Sequence, residues 1–221
     1  MSKCRKCGAH LRPVPLARYP ADTVVGLPGI AVLYAAILMD CPTEGCEGGT
    51  YVYVPDVPEL EAALAIARIM IPVKLTGDEV RFLRNTVRLK AKEIAELVQV
   101  TPETVSRWEH GKEQVGAPYE KILRLAIGFA LTDRAPGVRF APHEILTMHH
   151  EPLSGRLAFF CTRTPVLVRQ GDKLEERTCW KPAREELATV VAPSRPEERD
   201  DERACAAAPM AARGLETTGY L

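Results

Sequence analysis

Apolar and polar positions along this chain follow two different periods. In the first quarter the pattern is that of strands. Thr23-Val24-Val25 and residues 30–39 are β-branched and aliphatic runs, parted by the Gly26-Leu27-Pro28-Gly29 turn. Tyr51-Val52-Tyr53-Val54 is a further short strand candidate. Together they predict a small β-rich module over residues 1–55. From residue 57 the spacing becomes helical: Val57, Leu60, Leu64, Ala67 and Ile71 recur on one face. Asp56-Val57-Pro58-Glu59 supplies a capping Asp, a proline in the first turn and an early acid, while Pro72 ends the run. Residues 56–73 therefore read as an amphipathic connecting helix, packed on the β module or held in a dimer contact.

The same period continues through 74–131 in four shorter pieces. Thr76-Gly77-Asp78-Glu79 is a capping box, and the helix it opens turns Val80, Leu83 and Val87 inward. A short second helix over 91–98 buries Ile94, Ala95 and Leu97. Gln99-Val100 makes a turn, and Thr101 caps a third helix with Pro102 at its first position, where a missing N–H costs nothing. Gly111 stops that helix, and Ala117-Pro118 opens a fourth. Beyond 131 the pattern thins to an extension over 132–182. There residues 166–169 and 174–178 flank Gln170-Gly171-Asp172-Lys173 as a possible β-hairpin. From 183 to 221 Pro, Ala, Arg and Glu dominate without periodicity, the composition of a disordered tail. The expected fold class is α+β multidomain: a small β-rich zinc-binding module, a connecting helix, an all-α helix-turn-helix domain and a short β-containing C-terminal extension.

Four cysteines change this picture most. Cys4 and Cys7 are spaced C-x2-C, and Cys41 and Cys46 C-x4-C. Two close pairs brought together complete a tetrahedron around one zinc ion. Four thiolates leave no open coordination position, so such a site is structural. So small a module buries too little apolar surface to fold alone, and a structural metal supplies what is missing. His10 is a substitute ligand on paper and a surface histidine on simpler grounds. With no export signal at the N-terminus, seven cysteines point to reduced thiols and a cytoplasmic location. No apolar stretch is long and unbroken enough to span a membrane. Cys161, Cys179, His149 and His150 lack paired spacing; buried thiols are the plainer reading and a second metal site the alternative.

The chain's net charge is zero, so affinity for nucleic acid has to come from a local surface. Over 74–124 ten Lys/Arg stand against eight Asp/Glu, a mild excess of +2 that leaves room for a protein-interaction role. A short helix, a tight turn and a second helix place the latter across a major groove, its N-terminal half toward the base edges. The third helix must bury Val105 and Trp108, which exposes Pro102, Glu103, Ser106 and Arg107. Arg107 is the base-reading candidate, since its fork matches guanine O6 and N7. Glu103 either accepts from cytosine N4 or favours the positive end of its own helix. Thr101, Thr104, Lys90 and Lys112 are placed for phosphates, although Lys90 and Lys112 also suit ordinary solvated surface. No Ser-His-Asp or Cys-His arrangement, phosphate loop or paired-carboxylate motif stands out, so no enzyme is expected.

The run from Leu89 to Gly111, with Glu109-His110-Gly111 closing the third helix, resembles the Cro/CI-type (XRE-like) helix-turn-helix. That resemblance implies a structural pair between Arg84 and Glu109. A paired-cysteine module, a connecting helix and this reader, in that order, resemble the MqsA (YgiT-type zinc finger) antitoxin family over about residues 1–131. The resemblance implies zinc on both cysteine pairs, a ribonuclease toxin bound by the N-terminal module, and a homodimer repressing its own operon at a palindromic DNA operator. Its base-contacting positions fall on Glu103, where the archetype has Asn, and on Arg107, which matches. The second pair is C-x4-C where the family has C-x2-C, and residues 132–221 follow where the family typically stops. A transcription factor without a toxin, or a zinc-finger interaction adaptor, are the alternatives.

Overall fold

The computed structural model describes residues 3–46, 48, 50–152, 157–170 and 173–183. Its described part is mixed α+β, with a five-stranded sheet and seven α-helices. The strands are β1 (Arg12–Pro20), β2 (Ile30–Asp40), β3 (Tyr51–Tyr53), β4 (Phe159–Gln170) and β5 (Lys173–Ala183). Sheet order is β1-β2-β4-β5, with β3 pairing antiparallel to the far end of β2.

β1 has no counterpart in the sequence reading, because Pro13, Pro15 and Pro20 disguise it. Proline lacks the N–H a ladder needs, yet an edge strand tolerates it on its open side, and β1 is an edge. Where β1 meets β2, Ala17 faces both Tyr34 and Ala35, and Tyr34 takes a left-handed φ of 55°. That bulge bends the hairpin. Thr23-Val24-Val25, expected as strand, instead belongs to a one-turn helix, α1 (Asp22–Val25). Asp22 decides this: its carboxylate accepts from Ile30 N at 2.7 Å, and Gly26 closes the turn at φ 76°.

The helix α2 (Val57–Ile69) is not amphipathic. Leu60, Ala62, Ala63, Leu64, Ala65, Ile66 and Ile69 are all buried, so apolar residues cover nearly its whole circumference. The expected connector is the axis of the molecule, packed by the sheet's β5 and by α1, α3 and α6. The helices after it are α3 (Gly77–Thr86), α4 (Ala91–Val98), α5 (Pro102–Glu109) and α6 (Ala117–Leu131), then a 3-10 turn (Thr132–Arg134) and α7 (Pro142–Thr147).

Two arginines with no exposed surface, Arg68 and Arg124, fix the joint between α2 and α3. The last carbonyls of a helix have no partner within it. Here Arg124 donates to Ile69 O and Ile71 O at 2.7 Å and to Val73 O at 2.6 Å. Arg68 takes Val73 O and Lys74 O. Glu120 balances Arg124 at 2.7 Å, and Glu79, which also closes the capping box of α3, balances Arg68.

The hairpin expected around 166–178 is longer than read, spanning β4 and β5, with Gly171 and Asp172 outside the described residues. β4 pairs parallel to the start of β2 through Ile30↔Phe159, Ala31↔Phe160 and Val32↔Cys161. The 1–55 module and the 132–182 extension thus contribute strands to one sheet. Trp180 locks that sheet to α2: its backbone N–H donates to Glu59 and its indole to Pro55 O and Asp56 O. Leu97, expected in the core, is 42% exposed, and Val98 fills its place. The tail expected from 183 falls, from residue 184 onward, outside the described residues.

Candidate functional site

The β1–β2 hairpin pairs Arg12 with Asp40, so the residues before β1 and those after β2 emerge side by side. That register sets the two cysteine pairs against each other. The four Sγ atoms lie within 4.8 Å of one another, with Cys4–Cys46 at 3.8 Å and Cys7–Cys41 at 3.5 Å. A tetrahedron of thiolates about 2.3 Å from a zinc ion has edges of about 3.8 Å, so these two separations suit such an ion.

The loops are shaped for sulfur. Backbone N–H groups of Cys7 and Lys6 hold the Cys4 thiol below its ordinary range. The Thr43 hydroxyl, 3.5 Å away, is the main cause that brings Cys7 to about 6, with the Ala9 N–H and Cys41 adding to it. Cys46 is pushed the other way, to about 12: a Gly48 backbone hydrogen bond favours its thiolate, but Cys7, burial, Cys4 and Cys41 together outweigh it. Four sulfurs this close discourage full deprotonation unless a cation neutralises them. Gly48 is part of the cage, since a Cβ there would lie 2.4 Å from Lys6 Cβ and 2.8 Å from Cys4 Sγ. Gly48 was legible in the sequence as a residue beside the second pair that permits a tight turn toward sulfur. Thr43 went unnoticed because it is one of the unspecified positions inside the C-x4-C spacing. His10 is exposed and pairs with Lys3 across the first knuckle.

The described residues contain this one cluster able to hold a metal. Cys161 lies opposite Pro182 and Cys179 opposite Thr164, both thiols buried and raised by desolvation, Cys161 to about 12. His149 is exposed, while His150 turns toward Glu120. These four residues form no metal cluster.

The second candidate surface is built on α5. After α4 the chain turns at Gln99, left-handed at φ 57°. Thr101 Oγ1 then accepts from Thr104 N at 3.3 Å to start α5. Val105 and Trp108 are buried, which leaves Pro102, Glu103, Ser106 and Arg107 exposed. Glu103 is held below the usual carboxylate range by its own N–H and by Thr101. Arg107 reaches Glu113 at 3.6 Å, a partner the sequence reading missed because it lies in the loop beyond Gly111. Lys90 and Lys112 are exposed at the ends of the same helix pair.

Arg84 and Glu109 meet side-on: Nε donates to Oε1 at 2.5 Å and Nη2 to Oε2 at 3.2 Å. Arg84 also donates to Leu89 O, and Arg81 to Glu109 O, so the pair ties α3 to the end of α5 and to the start of α4. Gly77 permits that closeness, because a Cβ there would sit 2.6 Å from Trp108 O and 2.8 Å from Glu109 O. No helix in the described residues is long and apolar enough to cross a membrane. No family model matches this chain, no curated protein matches it, and no solved structure matches it.

Proposed function

We propose that this chain is a sequence-specific DNA-binding regulator whose N-terminal cysteine cage holds one structural zinc ion. The observation that carries this reading is the orientation of α5. It buries Val105 and Trp108 and turns Glu103, Ser106 and Arg107 to solvent, directly after a short helix and a tight turn. In this reading Arg107 leaves the weak, exposed pair with Glu113 and forks onto a guanine, while Glu103 lies over the neighbouring base. Thr101, Thr104, Lys90 and Lys112 take phosphates and fix the register. Soft thiolate ligands favour zinc over magnesium or calcium, and a closed set of four favours a structural role.

One such helix makes few base contacts, so the regulator acts as a homodimer on a palindromic operator. The MqsA-like order of cage, helix and reader makes it a cytoplasmic autorepressor with a ribonuclease toxin as partner, or a transcription factor of the same build without one. Selection of duplexes from a random pool by the full chain tests this. A two-fold motif is expected, bound with an affinity that falls steeply as salt rises. Arg107→Ala should erase sequence preference with an unchanged melting temperature; no enriched motif from the unaltered chain defeats the proposal.

An interaction adaptor is the second reading, and one surface favours it. The register of β1, β2 and β3 aligns Pro13, Pro15, Ile37, Met39, Tyr51 and Tyr53 on one face, with Tyr51 46% and Tyr53 51% exposed. An apolar sheet face beside the cysteine cage is suited to a protein partner. Specific partner capture that survives Arg107→Ala, combined with a failed duplex selection, selects the adaptor.

A further inference from the structure

A helix on a protein surface usually turns its charges to water and its apolar side to the core. α6 (Ala117–Leu131) departs from this. Its charged residues are Glu120, Lys121 and Arg124. Glu120 and Arg124 have no exposed surface, because the joint at the end of α2 uses them. Lys121 directs its ammonium to Leu146 O, at 2.6 Å. The other outward positions from 119 to 130 are Tyr119, Ile122, Leu125, Ala126, Phe129 and Ala130, none of them charged. Ile122 is 44% and Phe129 64% exposed. Leu146, on the adjoining α7, adds a side chain that is 59% exposed. Large apolar side chains gathered on one face in water mark an interaction surface.

The spacing of this patch suits a copy of itself. Tyr119, Ile122, Ala126 and Phe129 recur at intervals of three, four and three, the seam along which two helices pack. The seam is also symmetric in register. Laid antiparallel on a second copy, with the two-fold axis level with residue 124, it sets Tyr119 against that copy's Phe129 and Ile122 against its Ala126. Aromatic then meets aromatic, and large meets small, on both sides of the axis. An isologous contact brings equal charges near one another, and this face has almost none to oppose. Specific interfaces take about 800 Å² from each partner, more than a lone helix about 22 Å long supplies. Leu146 beside α6, and the Phe140 ring edge-on to Phe129 at 5.3 Å, add to the area.

We propose that α6 is the contact between two copies of this chain, paired antiparallel about residue 124. The choice of a second copy rests on the DNA-binding reading, which requires two α5 helices at a fixed spacing. α6 is placed to set that spacing, because the Tyr119 ring stands 5.9 Å from the ring of Trp108, on the inner side of α5. The pairing itself is measured without DNA, so the contact and the DNA-binding reading can fail separately.

Sedimentation equilibrium of the full metal-loaded chain should find a dimer that dissociates in the micromolar range or below. Ile122→Lys and Ala126→Glu, both at outward positions, should each weaken it at least about tenfold with the fold intact by circular dichroism. Mixing the two variants should restore a dimer, since this register sets the two substituted positions opposite each other with opposite charges. Half-labelled samples of the unaltered chain should show NMR contacts between Tyr119 of one copy and Phe129 of the other. That measurement decides the case if either variant fails to fold. A dimer indifferent to both substitutions, or variants that do not recover on mixing, would overturn the assignment and leave the DNA-binding reading in place. A chain that stays monomeric up to about 100 μM would also overturn it, and would leave the patch to a different protein. A failed duplex selection beside a dimer broken by Ile122→Lys removes the DNA-binding reading and upholds the contact.

Discussion

Removing one member of the Arg84–Glu109 pair strands the other in a largely buried setting, since Glu109 is 7% exposed. The net worth of such a pair is modest, but its one-sided rupture is not. Glu109→Ala should lower unfolding free energy by about 3 kcal/mol, read from urea denaturation. A loss within error would show that Arg84 is satisfied by Leu89 O alone. The cysteine cage responds to acid. Cys7 has its pKa lowered from 9.0 to about 6, so its contribution is complete above 9.0 and disappears as pH falls toward 6. At Cys7, proton competition with the metal should set in lower, as pH falls through about 6, because the folded chain already holds that thiol as thiolate above it. Elemental analysis near pH 8 should find one zinc per chain, and a chromophoric chelator should gain it on acidification to roughly pH 5. Affinity that is flat with pH would exclude thiolate ligation.

Among the elements, α3 and α5 are held closer than side chains normally allow, with Gly77 at the contact. Adding a methyl there forces backbone apart rather than a flexible side chain aside. Gly77→Ala should cost about 1–3 kcal/mol despite the higher helix propensity of alanine. A stabilised variant would mean that the two helices part easily. The expected helix boundaries for α4 and α5 agree closely with the observed ones, because caps and turns are local. Thr101 ahead of Pro102 and a left-handed Gln99 need only their neighbours to form. The inward face of α4 was misread at Leu97, since a one-position rotation of a short helix depends on what packs against it.

At the scale of the whole molecule, strands from both ends of the described chain share one sheet and α2 lies against it. Residues from 3 to 183 should therefore unfold as one unit. Trp180, fully buried and bonded to Glu59, Pro55 and Asp56, is the rivet. Trp180→Ala should cost about 3–5 kcal/mol. Hydrogen exchange checks how the loss is shared: amides of α3 and α6 should lose protection along with those of β2. Loss confined to β4 and β5 would mean that the sheet and the helices unfold separately. Metal removal should act more locally, freeing the knuckles at 4–8 and 41–46 while β1 and β4 still hold β2.

Short-range chemistry was legible in the residues alone. Paired cysteines, the Thr76 capping box, the Pro102 helix start and the inward Val105 and Trp108 depend on spacings of a few positions, and local sterics and hydrogen bonding decide those. The second metal site was undecided for the opposite reason: whether Cys161, Cys179, His149 and His150 converge depends on strand register and chain return. Only the tertiary structure could make α2 an axis, place proline-rich β1 at an edge, join β2 to β4 and draw Glu120 and Arg124 of α6 inward. Those arrangements rest on burial and pairing between residues up to 129 positions apart, as between Ile30 and Phe159. Such contacts depend on how the whole chain closes its core, and no local pattern encodes them.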